Sequence, residues 1–248
     1  MLVSAYPYRF VIRRVTMKFI IGKKLNMTQL YAEDGSVVPV TVVSAAPGVV
    51  VQVKTPEQDG YAAVQFGFEV GSKHASRAVL GHIKGKLKCP YMRELRIDDT
   101  SAFSVGQRYD LTSFIAGDMV AVSGTSKGRG FAGVVKRHGF HGSAKTHGHK
   151  HDLRAPGSIG STDSARVFPG MRMAGRMGGT RVTVPNLRIA QVDADSGLLY
   201  IRGAVPGSRN GIIEIRAEGE MSPVEEIEAK KEKTTDNQPD TNDEKGIK

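Results

Sequence analysis

Short runs rich in β-branched residues recur through the first half of the chain: Phe19–Ile21, Val37–Val43, Val49–Val53, Ala62–Phe68 and Met119–Ser123. Turn-forming pairs and triplets separate them, at Asp34-Gly35, Pro47-Gly48, Asp59-Gly60 and Ala116-Gly117-Asp118. Branched side chains suit a pleated, half-buried surface, so these runs predict strands. The pattern resumes at Arg181–Val184, Leu187–Val192, Leu198–Ile201 and Gly211–Arg216. Asp193–Gly197 joins the middle two as a hairpin-like loop. Short strands at this spacing predict a mainly β fold, a barrel or a sandwich, with few short helices. One or two of those helices fall within Lys73–Lys88, weakened by Gly81 and Gly85. Another is predicted over Phe131–His138. There Phe131, Val134 and Val135 form one stripe, Lys136, Arg137 and His138 fill the last turn, and Gly139 supplies the stop.

Charge changes this picture. The chain has 248 residues and a formal net charge of +10. Residues 124–188 hold 12 basic and two acidic residues, so this one segment carries as much charge as the whole chain. It also holds 13 of the 29 glycines and five of the seven histidines. A basic block of this kind is the footprint of a polyanion-binding surface. The predicted strands lie on both sides of it. The expected organisation is therefore a β-barrel body of residues 18–123 plus 189–216, with 124–188 as a long basic excursion. Residues 1–17 read as an N-terminal extension, and 217–248 as a disordered acidic tail with five basic and 10 acidic residues.

Several function classes drop out. No apolar run approaches the length of a membrane helix, and residues 1–16 lack the apolar core of a signal peptide, so a cytoplasmic, membrane-independent protein is expected. The lone Cys89 argues against a disulfide framework or a thiolate zinc site. His138, His141, His147, His149 and His151 form the one tempting metal cluster, since 147, 149 and 151 would share a face in an extended strand. Lys145 and Lys150 would repel a cation there, and only Asp152 offers a nearby carboxylate. No metal, cofactor, small-molecule substrate or catalytic residue is expected.

The excursion reads instead as an RNA surface. Its candidate contacts are Lys127, Arg129, Lys136, Arg137, His138, Lys145, His147, Lys150, Arg154, Arg166, Arg172, Arg176 and Arg181. Gly124–Gly130 lacks the spacing of a P-loop and reads either as a mobile turn or as backbone free to approach phosphates. Phe131, Phe140 and Phe168 are the segment's only aromatics, too few for a base-stacking platform, so shape and backbone recognition of folded RNA fits better. The small, uncharged stretch Pro156, Gly157, Ser158, Ile159, Gly160, Ser161 reads as a narrow tip, or equally as a plain surface loop. With so few apolar contacts to offset ordering, the excursion is expected to be largely disordered alone and to order on its partner.

Several motifs occur in order: Met17–Leu25 with Met27-Thr28-Gln29, Gly124–Gly128, Val135–Phe140, Pro156–Gly160, Met173-Ala174-Gly175, Arg181–Val184 and Gly203–Gly207. From Met17 to about Arg216 the chain resembles the bacterial large-subunit ribosomal protein three family. The resemblance implies a translation-protein-type β-barrel on the subunit surface, near the 3′ end of the large-subunit (23S) rRNA. It implies a loop running toward the peptidyl transferase centre, with 156–161 deepest, and a role in nucleating subunit assembly beside neighbouring large-subunit proteins. Residues 1–16 precede the family's usual start, and 217–248 have no counterpart in the resemblance. Asn26 stands where the family usually has Gly, a position that favours positive φ. Ser161 stands where some members carry a methylated Gln, so that modification does not transfer. A metal-dependent hydrolase and a free-standing nucleic-acid chaperone are the competing classes.

Overall fold

The computed structural model describes residues 17–68, 75–83 and 89–221. In chain order the strands are β1 (Met17–Tyr31), β2 (Val37–Ser44), β3 (Gly48–Lys54), β4 (Ala63–Phe68), β5 (Tyr91–Arg96), β6 (Arg108–Tyr109), β7 (Met119–Thr125), β8 (Phe131–Ala132), β9 (Gly175–Arg176), β10 (Arg181–Asp193), β11 (Leu198–Arg202) and β12 (Ile212–Glu218). Short helices occur at α1 (Pro56–Asp59), α2 (Arg77–His82) and α3 (Val134–His138). Within the span Lys73–Lys88, α2 is the described helix, and residues 73–74 and 84–88 lie outside the described residues.

Six strands close a barrel in the order β1-β12-β7-β10-β11-β2, with every neighbouring pair antiparallel. Strands from both sides of the basic segment do close it. The barrel is smaller than the expected body, however. After β2 the chain leaves the wall, and β3, β4, β5 and β6 form a separate sheet of order β5-β4-β3-β6. The wall also reaches further into the basic segment, because β10 begins at Arg181 and pairs with β7 back to Thr125. Arg181–Val184 and Leu187–Val192 are one strand. Pro185-Asn186 forms a bulge between them, with Asn186 at φ 57°.

β1 explains how barrel and sheet stay together. Successive side chains on a strand point to opposite faces. Ile20 therefore enters the barrel core with Val43, Val122, Ile189, Leu199, Ile213 and Ile215. Phe19 and Ile21 point outward and pack with Val50, Val64, Phe66, Phe68 and Leu95 of the sheet. The Phe19 and Phe66 rings lie 5.1 Å apart. Asn26 falls within the β1–β2 register shift and does not have positive φ, so the bulge accommodates it without the conformation expected from the resemblance.

Two terminal assignments change. Met17 pairs with Glu218 and so belongs to the barrel rather than to an extension. Ala217 is buried against the barrel core and Met221 packs beneath Phe19, so the order of the fold runs past Arg216. Residues 1–16 and 222–248 lie outside the described residues.

Lys18 Nζ donates to Asp118 Oδ2 at 2.9 Å, tying β1 to the start of β7. Burial alone would raise the Asp118 pKa, but hydrogen bonds from Lys18 and the Ile115 N–H, with the Lys18 charge, outweigh it and lower it. The pair thus stabilises the fold above the ordinary aspartate pKa of about 4, and that contribution is lost as pH falls through the lowered folded value. D118N should cost on the order of 1 kcal/mol in urea melts near neutrality, with the difference from wild type shrinking as pH falls below the ordinary aspartate range. Ile215, fully buried in the barrel, gives a larger effect: I215A should destabilise by about 2–5 kcal/mol in the same melts.

Candidate nucleic-acid interface

The basic excursion grows out of a barrel ladder. Beyond Thr125 and Arg181 the two chains stay paired. Ser126 N–H donates to Thr180 O at 2.8 Å, Arg129 N–H to Met177 O at 2.9 Å, and Met177 N–H to Gly130 O at 2.9 Å. β8 and β9 continue the pairing, with Phe131 opposite Arg176 and Ala132 opposite Gly175. The approach is too close for a side chain at Gly178, which has φ +75° and where a Cβ would sit 2.1 Å from Lys127 O.

The predicted helix is real but starts later. Phe131 and Ala132 are strand residues, and Phe131 is 81% exposed rather than on an apolar stripe. The cross-arm pairing claims their backbone, and Gly133, extended at φ −68° and ψ 166°, begins α3 instead. Val134 supplies its buried contact. Gly139 ends it at φ 73°, donating its N–H to Val135 O. From the last turn, Arg137 Nη1 donates to Met173 O at 2.6 Å, and His138 Nε2 lies 3.1 Å from the same oxygen.

Beyond α3 the chain is mostly exposed. His147 and Gly148 occupy a turn with φ 61° and 82°, so 147, 149 and 151 do not line one strand face. Among the described residues, no group of three or more His, Cys, Asp or Glu gathers to hold a metal ion. A 3-10 turn at Thr162–Ser164, which the residue pattern did not reveal, follows the tip. Pro156, Gly157, Ser158, Ile159, Gly160 and Ser161 are all exposed. A Cβ at Gly157 would meet nothing within 4 Å.

The candidate cations fare unequally. Lys127, Arg129, Lys136, Arg137, Lys145, Lys150, Arg154, Arg166, Arg172 and Arg176 are exposed, as is His147, and His138 is half-buried. Arg181 is different. Its guanidinium donates to Glu214 Oε2, a nearly buried carboxylate on β12 that also takes Arg93 Nε at 2.9 Å. Arg181 therefore ties β10 to β12 within the barrel wall while remaining 59% exposed, and Arg93 on β5 makes the link from Glu214 to the sheet. Two contributors were not legible beforehand. Arg93 joins Thr125, Ser126, Lys127 and Ser208 in lining a cleft at the root of the excursion. Lys24 donates to Val205 O and Gly207 O. Burial, and then the charge of Lys127, lower its pKa, which places two like charges near this root.

Among the described residues, no helix is long and apolar enough to cross a membrane. The ribosomal protein L3 family profile matches residues 96–198, which include the whole excursion. Large ribosomal subunit proteins uL3 from three strains of Dehalococcoides mccartyi are each 49% identical to this chain over 201 residues. The match covers 81% of this chain and 98% of each relative. With identity of this level over nearly the whole length of the relatives, the chain belongs to the uL3 family of large ribosomal subunit proteins.

Proposed function

We propose that this structural protein of the large ribosomal subunit binds 23S rRNA near its 3′ end through residues 124–188. In this reading it helps nucleate subunit assembly beside neighbouring proteins, and it carries 156–161 toward the peptidyl transferase centre. The observation that carries the reading is a +10 segment whose cations are largely exposed and whose root is locked to a barrel ladder. Lys and Arg on both arms would displace counterions, and shape would select the site. The part between α3 and Met173 has little long-range support, so it orders on RNA. The same reading assigns the protein to cytoplasmic ribosomes.

Two measurements test this. In a cell-lysate gradient the protein should sediment with large subunits. A protein running mostly free at the top would instead be a nucleic-acid chaperone. For the purified protein, contact with about 6–10 phosphates predicts a fall in 23S rRNA affinity of about 10³–10⁵-fold between about 50 and 200 mM salt. K136A should weaken binding and reduce the salt slope by about 1, while G157V should leave both unchanged because it alters only the tip. Salt-independent binding would remove the electrostatic mechanism.

A further inference from the structure

We propose that Arg137 and His138 are positioning residues for the loop rather than RNA contacts: they grip the Met173 carbonyl and set the direction in which 139–172 leaves the barrel. The inference rests on the reading that this loop enters 23S rRNA. Three observations carry it. Arg137 Nη1 donates to Met173 O at 2.6 Å, a short charge-assisted bond. His138 Nε2 lies 3.1 Å from the same atom. A carbonyl only accepts, so this nitrogen carries the proton, and the oxygen's two lone pairs serve two donors. The third observation is steric. A Cβ at Gly175 would lie 2.8 Å from Arg137 Nη1 and 3.3 Å from Cζ. Any side chain at 175 would therefore displace the guanidinium from the carbonyl.

The position of this clamp gives it leverage. Immediately inside it, Ala132 pairs with Gly175, so ladder and clamp fix the outgoing and returning chains together. Everything outside, including the tip, is one closed loop whose direction is set there. The exposed guanidinium keeps further N–H donors, so what the proposal assigns to the Met173 carbonyl is its direction, and the test below decides whether a phosphate also takes it.

The test separates the two roles. Met173-Ala174 is the chain's one Met-Ala step. Carbonyl-labelled Met with nitrogen-labelled Ala therefore gives a single resonance for the Met173 carbonyl in the full-length protein. In the free protein R137K and G175V should shift it upfield, as a lost hydrogen bond does, while K136A leaves it in place. An unmoved resonance in R137K would overturn the clamp whatever happens with RNA. With 23S rRNA, R137K and R137Q should keep the wild-type salt slope while cleavage from an iron chelate tethered at S158C spreads over the RNA. If R137Q instead lost about 1 from the slope and R137K lost none, Arg137 would be a phosphate contact and the proposal would be wrong. Absence of any salt-dependent binding by the wild type would fail the rRNA reading, with the carbonyl resonance still deciding the clamp.

Discussion

The β7–β10 ladder is the interaction on which the rest of this molecule depends. It closes the barrel by joining strands separated in sequence by the basic segment, and the same pairing then leaves the barrel as two arms. A long, glycine-rich insertion would ordinarily cost a compact domain its definition. Here the loss is contained because the insertion starts and ends on adjacent, antiparallel strands. The entropy of closing the loop is met by a wall pair that the barrel core requires anyway, through Val120, Val122 and Ile189. Extending that ladder by a few bonds then adds reach at little further ordering cost.

A second device stiffens the same root from the side. Ile20 and its neighbours Phe19 and Ile21 feed separate cores, which holds the outer sheet against the barrel. At that seam Glu214 on β12 collects Arg93 from β5, Arg181 from β10 and Arg216 from its own strand. A nearly buried carboxylate among three guanidiniums is compensated by geometry that only the assembled parts supply, and removing it would leave clustered like charges. The seam therefore links the sheet, the barrel and the residue at which the returning arm rejoins the barrel. A sheet that looks remote from the basic loop is thereby joined to its root.

Much of this was legible because alternation and charge are local signals. Val37–Val43, Met119–Ser123 and Leu198–Ile201 declare strands by their β-branched content, and the 12 basic residues of 124–188 set that segment apart by count. What stayed hidden was long-range. β1 continues to Tyr31 although Gly22–Lys24 is polar and Leu25–Thr28 alternates over only four residues, because pairing with β2 across a bulge holds it extended. β5 was invisible because Leu95 is its one fully buried residue. The departure of β3–β6 into their own sheet follows from pairings that composition does not encode. Phe131 fitted a helical stripe, yet the opposite arm lies 45 positions on and captures its backbone first.

The basic block shows why a charge count and a contact count differ. A cation in the sequence is a donor without an assigned acceptor, and proteins contain many acceptors besides phosphate. Arg181 finds Glu214 33 positions away, and Arg137 finds a backbone oxygen 36 positions away. The second partner could not have been read from residue type, because every residue carries a carbonyl. Both captured arginines, though exposed, sit at the root and beside the last paired step, whereas the other exposed cations run from the paired arms, at Lys127, Arg129 and Arg176, out along the chain beyond α3. Guanidinium suits the captured positions because its rigid fork fixes direction as well as charge. Electrostatic attraction to a polyanion is tolerant of geometry, but delivering a narrow tip to one place is not. Under the proposed function, the two demands fall to different residues of one basic segment: exposed cations for attraction, and Arg181 and Arg137, held by the protein's own acceptors, for aim.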